Sequence, residues 1–122
     1  MTFEEALTVW MEKVQTMLNT HYSKNFPTLD VPKLVKAGGT KYLKINNEYM
    51  GGSDLKPEKR TSIYAFIEVA TGNVLKPQTW KAPAKHARGN IYDESGVACC
   101  GPYGVAYLDT KGKLQHPYGL EH

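Results

Sequence analysis

The sequence predicts an α+β fold in which an N-terminal amphipathic helix packs on a small antiparallel β-sheet of about five strands. Two observations support this fold class. Apolar residues recur at helical spacing from Phe3 to Tyr22, and short β-rich runs separated by glycine-containing turns fill the rest of the chain. The length of 122 residues suits one domain, which we assign to residues 1–119. Residues 120–122 are typical of the start of a vector-encoded histidine tag.

The predicted helix has a complete start signal. Thr2 can cap it, and Glu5 three residues later completes a capping box. We expect the helix to end near Ser23, before Pro27, and its apolar face to pack on the core or on another subunit. The apolar stripe consists of Phe3, Leu7, Trp10, Val14, Met17, Leu18 and Tyr22.

Strand signals begin after this helix. Residues 33–37 and 40–46 flank Gly38-Gly39, a two-residue turn that predicts a β-hairpin. Residues 62–69 are apolar on nearly both faces, which predicts a central strand. Residues 46–60 are rich in turn formers and charge, which indicates a loop.

Shorter elements are predicted in the C-terminal half. A turn at residues 71–73 leads into a strand at residues 74–76. Pro83 and Gly89 suit the first turn and the end of a short helix over residues 82–87. Further strands are predicted at residues 97–100, 105–108 and 113–116, with turns at residues 93–96, 101–104 and 109–112.

Composition restricts the class of protein. The net charge of +3 mildly favours anionic partners but does not indicate a DNA-coating protein. The sequence shows neither a membrane-spanning apolar run nor a signal-peptide pattern, so we expect a cytoplasmic protein with no membrane partner. The adjacent Cys99 and Cys100 predict reduced, buried thiols. Together with His86 and His116 they have the ligand types of a zinc site but not the usual spacing, so we expect no metal and no cofactor.

The stretch WKAPAKHARGN, residues 80–90, is the strongest candidate for a binding site. No acid occurs between Glu68 and Asp93, while cations, aromatic rings and a Gly-Asn pair lie close together. Arg and Lys suit phosphate, aromatic faces can stack a base, and an Asn amide can contact a base edge or a ribose. The predicted ligand-binding residues are Trp80, Lys81, Lys85, His86, Arg88, Asn90, Tyr92 and Tyr103, with a secondary basic group of Lys56, Lys59 and Arg60.

A solvated basic surface explains the same residues about equally well. His86 alone is more often a structural histidine, and Gly89-Asn90 can simply end the predicted helix. Catalysis has less support, because the sequence contains no phosphate-binding loop, nucleophile elbow or zinc-hydrolase pattern. We therefore expect a binding protein rather than an enzyme.

The segment from Ser62 to Leu108 resembles a family of short proteins encoded by tailed bacteriophages. The shared motifs are a strand, a following "G-x-V-L-K" strand, the run WKAPAKHARGNIYD, and the C-terminal motif PYGVAYL. The resemblance implies a viral origin, and hence the cytoplasm of an infected bacterial host. It implies no activity.

Three functions are compatible with these patterns. The leading hypothesis is a homo-oligomeric, non-enzymatic phage accessory protein that binds a small phosphate-bearing, nucleotide-like ligand and sequesters a host immune second messenger as an anti-defence measure. The second is nucleic-acid binding, for which affinity falls steeply with added salt. The third is a protein-interaction module that inhibits a host factor or belongs to the virion, with residues 50–60 as its recognition surface.

Overall fold

The computed structural model describes residues 1–53, 55–109 and 111–115 of the chain. The predicted tag and His116 lie outside these residues. The α+β architecture is confirmed: one long N-terminal helix packs against a five-stranded antiparallel sheet whose strands follow chain order. The elements are α1 (Phe3–Asn25), the sheet strands β1 (Lys33–Gly38), β2 (Tyr42–Ser53), β3 (Lys56–Glu68), β4 (Asn73–Leu75) and β5 (Gly89–Asn90), then α2 (Ser95–Ala98), β6 (Cys100–Gly101), β7 (Gly104–Val105), β8 (Tyr107–Leu108) and β9 (Leu114–Gln115).

Helix α1 begins as predicted. The Thr2 hydroxyl accepts a hydrogen bond from the Glu5 backbone N–H at 3.2 Å, and the Glu5 carboxylate accepts one from the Thr2 backbone N–H at 3.4 Å. The helix extends two residues past the predicted end, to Asn25, and the Phe26 N–H still bonds the Tyr22 carbonyl. The capping box thus satisfies N–H groups that the first helical turn leaves without partners.

The core lies between α1 and the sheet. The helix buries Ala6, Leu7, Trp10, Val14 and Leu18. Strand β3 is the central strand, as predicted, and buries four consecutive residues, Tyr64, Ala65, Phe66 and Ile67. Burial of a Leu, Val or Ile side chain stabilises the fold by about 1.5–3 kcal/mol. Cys99 and Cys100 are free and buried, as predicted.

Two hydrogen bonds connect this core to the C-terminal elements. The Trp10 indole N–H donates to the Gly96 carbonyl at 2.7 Å, and the Tyr64 hydroxyl donates to the Gly101 carbonyl at 2.6 Å. Both donors are buried. They therefore fix α2 and the β6–β7 hairpin against the helix and the central strand.

The prediction of a loop at residues 46–60 is wrong. Strands β2 and β3 remain paired through it, from Asn46 opposite Ile63 out to Ser53 opposite Lys56. Residues 56–61 are exposed, so this part of the hairpin has no buried face and carries no apolar alternation that would signal a strand. We call residues 49–60 the β2–β3 arm.

The prediction of a helix at residues 82–87 is also wrong. The Ala84 N–H donates to the Lys76 carbonyl at 2.7 Å, and the Arg88 N–H donates to the Val74 carbonyl at 2.8 Å. Pro83 forms an isolated bridge with Pro77 rather than starting a helix. The left-handed residue here is His86, with φ 69°, while Gly89 opens β5. Bonds to the backbone of Val74 and Lys76 therefore hold residues 77–88 as an irregular segment.

The remaining boundaries differ less. The first hairpin is confirmed, but its predicted two-residue turn is wrong, because Gly38 is the last residue of β1 and β2 begins only at Tyr42. The predicted strand at residues 97–100 is wrong except at Cys100, because Val97 and Ala98 belong to α2 and Cys99 is its C-cap. The predicted strand at residues 105–108 is divided between β7 and β8, which pair with different partners. The predicted turn at residues 109–112 is supported by the Gly112 N–H, which donates to the Asp109 carbonyl.

Candidate functional site

A groove of about 600 Å³ lies where the end of α1 meets the sheet. Four tyrosines and one lysine line it, together with two small polar residues and two prolines. The residues used below are Tyr22, Tyr49, Tyr103, Tyr107, Lys76, Asn47 and Ser62. Aromatic walls with a few polar groups are typical of small-molecule sites.

The fold brings these residues together from distant parts of the sequence. Tyr22 lies near the end of α1. Asn47 and Tyr49 are two positions apart on β2 and so share a face, and Ser62 on β3 is the cross-strand partner of Asn47. Lys76 follows β4, while Tyr103 and Tyr107 come from the β6–β7 turn and β8.

Tyr22 and Tyr103, at the α1 side of the groove, both contact the ring of His21. The Tyr103 hydroxyl lies 3.2 Å from Nε2 of His21, and the two rings meet edge to face with centroids 5.4 Å apart. Burial raises the pKa of Tyr22, and the phenols of Tyr103 and Tyr49 raise it further. The Tyr22 hydroxyl therefore remains protonated at neutral pH and can donate a hydrogen bond.

Lys76 supplies a positive charge to the groove. Its ammonium donates to the Val105 carbonyl at 2.7 Å and lies 3.9 Å from the centroid of the Tyr107 ring. Burial lowers the pKa of Lys76, and the charge of Arg88 lowers it further. The ion pairs found among the described residues involve Lys36 and Lys59, so no described carboxylate neutralises Lys76. An anion in the groove would offset both effects on its pKa.

Arg88 uses its guanidinium inside the protein. Nε donates to the Ala106 carbonyl at 3.3 Å, and Nη1 donates to the carbonyls of Lys85 and His86. Burial lowers the pKa of Arg88. The side chain thus braces the irregular segment, and ligand binding by Arg88 stays a prediction.

The other cations of the predicted cluster lie on the surface. Lys81, Lys85 and His86 are exposed, and none of them lines the groove. Trp80 is 52% exposed, and the Lys44 ammonium lies 4.3 Å from the centroid of its ring. This second surface combines an aromatic ring with several cations, but it is separate from the residues that line the groove.

Asn90 and Tyr92 support the turn between β3 and β4. The Asn90 amide nitrogen donates to the Thr71 carbonyl at 2.9 Å and to Oδ1 of Asn73 at 3.0 Å, while its Oδ1 accepts from the Tyr92 N–H at 2.9 Å. Tyr92 is 48% exposed, and its ring covers Gly72. The amide predicted to contact a ligand is therefore occupied within the fold.

The secondary basic group lies on the β2–β3 arm. Lys59 pairs with Glu48 across the strands at 2.9 Å, and the Arg60 side chain lies over Gly51. Lys56 is exposed at the start of β3. The Glu48 carboxylate thus neutralises Lys59, while Tyr49 at the base of the arm lines the groove.

The structure brings one predicted ligand-binding residue, Tyr103, to the groove and adds others that sequence reasoning missed. Lys76 lies inside the acid-free stretch, but only its position after β4 distinguishes it from the other cations. Asn47 and Tyr49 lie in the segment predicted to be a loop. Their alternation becomes a usable signal once the segment is known to be a strand.

Comparison with known proteins places the chain in a family. The model described as Family of unknown function (DUF7717) matches residues 2–104, and the chain belongs to that family. No curated protein and no solved structure matches it. In the described part of the chain, no helix is long and apolar enough to cross a bilayer. The same residues contain no group of three or more His, Cys, Asp or Glu able to hold a metal ion.

Proposed function

We propose that this member of the DUF7717 family is a non-enzymatic protein that binds a small phosphate-bearing, nucleotide-like ligand in the tyrosine-lined groove. The observation that carries the proposal is the convergence of four tyrosines and the Lys76 side chain on one groove of about 600 Å³. Small-molecule sites commonly measure about 300–1,000 Å³, so the groove is large enough for a nucleotide.

The chemistry of the walls suits both halves of such a ligand. Stacking of a base on an aromatic side chain contributes about 1–3 kcal/mol. The Lys76 ammonium can pair with a phosphate, and its charge has no carboxylate partner among the described residues. One lysine in the lining favours a ligand with one phosphate, such as a nucleoside monophosphate or a cyclic nucleotide, over a triphosphate.

The resemblance to phage proteins supports a biological setting for this activity. Binding without turnover would sequester the ligand, and in an infected bacterium the ligand would be a nucleotide second messenger of host immunity. We place the protein in the host cytoplasm as an anti-defence factor. This assignment extends the binding proposal by analogy.

We also propose that the protein works as a homo-oligomer. A second depression shares Tyr22 and Tyr49 with the groove, and the apolar side chains of Leu29 and Met50 line it. Leu29 is 57% exposed and Met50 is 49% exposed. A second subunit packed on this surface would bury these side chains and cover the groove.

Isothermal titration calorimetry tests the binding proposal. Nucleoside 5′-monophosphates and 3′,5′-cyclic monophosphates are titrated into the wild-type protein and into Lys76→Met, which keeps the apolar stem and removes the charge. We expect at least about tenfold weaker binding for this variant, because hydrogen bonds to charged groups contribute about 1.5–3 kcal/mol. Lys81→Met, at an exposed position outside the groove, is the matched control and should bind normally. If folded wild-type protein binds none of these nucleotides, the proposal is wrong.

A second candidate function rests on the surface around Trp80. The Lys44 ammonium beside this ring, with exposed Lys81 and Lys85 on the same segment as Trp80, favours binding of single-stranded nucleic acid. That function predicts oligonucleotide affinity that falls steeply with salt and is lost in Trp80→Ala. A Tyr103→Ala variant, altered in the groove instead, would keep its affinity for the oligonucleotide.

A further inference from the structure

An unsatisfied amide lies in the wall of the groove. Asn47 lines the groove, and its Oδ1 is buried without a hydrogen-bond partner among the described residues. A buried acceptor without a donor costs about 1–3 kcal/mol. Such groups in native proteins indicate that a water, an ion or a ligand supplies the missing partner. We therefore expect a donor from whatever fills the groove.

The neighbours of Asn47 define where a ligand would present that donor. Ser62 lies directly across the β2–β3 ladder and also lines the groove. Cross-strand partners have Cβ atoms about 4.5–5.5 Å apart, so the amide and the hydroxyl form one polar patch. Tyr49, two residues along β2, places an aromatic ring on the same face. A planar heterocycle stacked on Tyr49 would therefore direct its edge at the Asn47 amide.

We infer that the groove, if it binds nucleotides as proposed above, is specific for adenine. Since Oδ1 of Asn47 is buried in the structure described, binding would require this side chain to rotate towards the groove; the 6-amino group of adenine would then donate to Oδ1, and N7 would accept from Nδ2. This two-bond pairing is the usual way in which an asparagine recognises adenine. The corresponding edge of guanine presents two acceptors, which would leave Oδ1 without a donor. The ligand class is therefore an adenine nucleotide whose single phosphate pairs with Lys76.

Two matched ligands test the inference by calorimetry. Adenosine 5′-monophosphate carries the 6-amino group, and purine riboside 5′-monophosphate differs only by lacking it. We expect the second ligand to bind at least about tenfold more weakly, since a good asparagine–base pair discriminates by about 1–3 kcal/mol. Equal affinity would overturn the inference and leave the proposed function intact, as would binding of guanine or uracil nucleotides without adenine. No binding by any nucleotide would overturn both.

Two protein variants assign the preference to Asn47. Asn47→Ala should bind both ligands with similar affinity, because the group that distinguishes them is gone. Asn46→Ala is the matched control: its Oδ1 is also buried and finds no partner in the described part of the chain, but Asn46 does not line the groove. The control should keep the full preference for the 6-amino ligand. If circular dichroism shows that Asn47→Ala is unfolded, Asn47→Ser takes its place with the same expectation. A folded Asn47 variant that keeps the wild-type preference contradicts the inference.

Discussion

Replacing Tyr64 with Phe removes one oxygen atom from the centre of the protein and leaves the ring in place. That hydroxyl is buried and donates to the Gly101 carbonyl at 2.6 Å. The variant loses a hydrogen bond with a net value of about 0.5–1.5 kcal/mol, while the Gly101 carbonyl keeps its partner Gly104 in the β6–β7 ladder. We expect the free energy of unfolding to fall by about 0.5–1.5 kcal/mol, with little contribution from a cavity.

Urea denaturation followed by circular dichroism measures this loss as a lower midpoint at unchanged slope. Tyr92→Phe is the matched control, because Tyr92 is 48% exposed, and its stability should change by less than about 0.5 kcal/mol. Gly101 precedes the turn that carries Tyr103 to the groove, so Tyr64→Phe should also weaken ligand binding. A loss of stability no larger than that of the control would refute the anchoring role of the Tyr64 hydroxyl.

Three further perturbations probe the fold. Burial raises the pKa of Tyr64 well above its ordinary value. The stability that the protonated Tyr64 hydroxyl contributes is therefore present below about pH 10 and is lost as the pH rises further. Urea titrations at alkaline pH should show this loss in the wild type and a smaller loss in Tyr64→Phe. Gly72→Ala should lower stability by more than Gly112→Ala. Both glycines have a φ near 80°, but a Cβ on Gly72 would lie 2.6 Å from the Tyr92 ring, while no atom of the described residues lies within 4 Å of a Cβ on Gly112. Equal melting temperatures would contradict this. Thr2→Ala should cost about 1 kcal/mol in the same urea assay through loss of the helix cap, and an unchanged midpoint would show that the capping box contributes nothing.

The elements predicted correctly are those whose signals are local. Helix α1 has both a capping box and a 3.6-residue apolar period, and the residues that start it are neighbours in sequence. Strand β3 contains a continuous apolar run, which indicates burial on both faces. The hairpin of β1 and β2 lies where the adjacent Gly38 and Gly39 indicated it, and both glycines have positive φ, although the connection is residues 39–41 rather than the two glycines.

The failures have a common physical cause, which is that distant contacts decided the local structure. The β2–β3 arm is exposed on the β3 side, so it lacks the apolar alternation by which a half-buried strand is recognised. Pro83 and Gly89 gave a helix signal, but hydrogen bonds from Ala84 and Arg88 to the backbone of residues 74–76 hold the segment in another conformation. Intrinsic propensity is a weak prior against such contacts.

The candidate site was only partly predictable for the same reason. The acid-free stretch correctly indicated a region rich in cations, yet the groove draws Tyr22, Asn47 and Tyr107 from three separate elements. Arg88 and Asn90 were predicted to bind a ligand together with the surface lysines because they are close in sequence. Both side chains instead form hydrogen bonds within the fold. Which cation faces a groove depends on the order of the strands in the sheet, and no local sequence pattern predicts that order.

The most direct test of the proposed site is a ¹H–¹⁵N NMR titration of the folded protein with adenosine 5′-monophosphate. Binding in the groove predicts that the largest amide shifts occur at Asn47, Tyr49 and Tyr103, with small shifts around Trp80 and Lys85. The largest shifts around Trp80 and Lys85, or no shifts at millimolar nucleotide, would contradict the assignment of the groove as the ligand site.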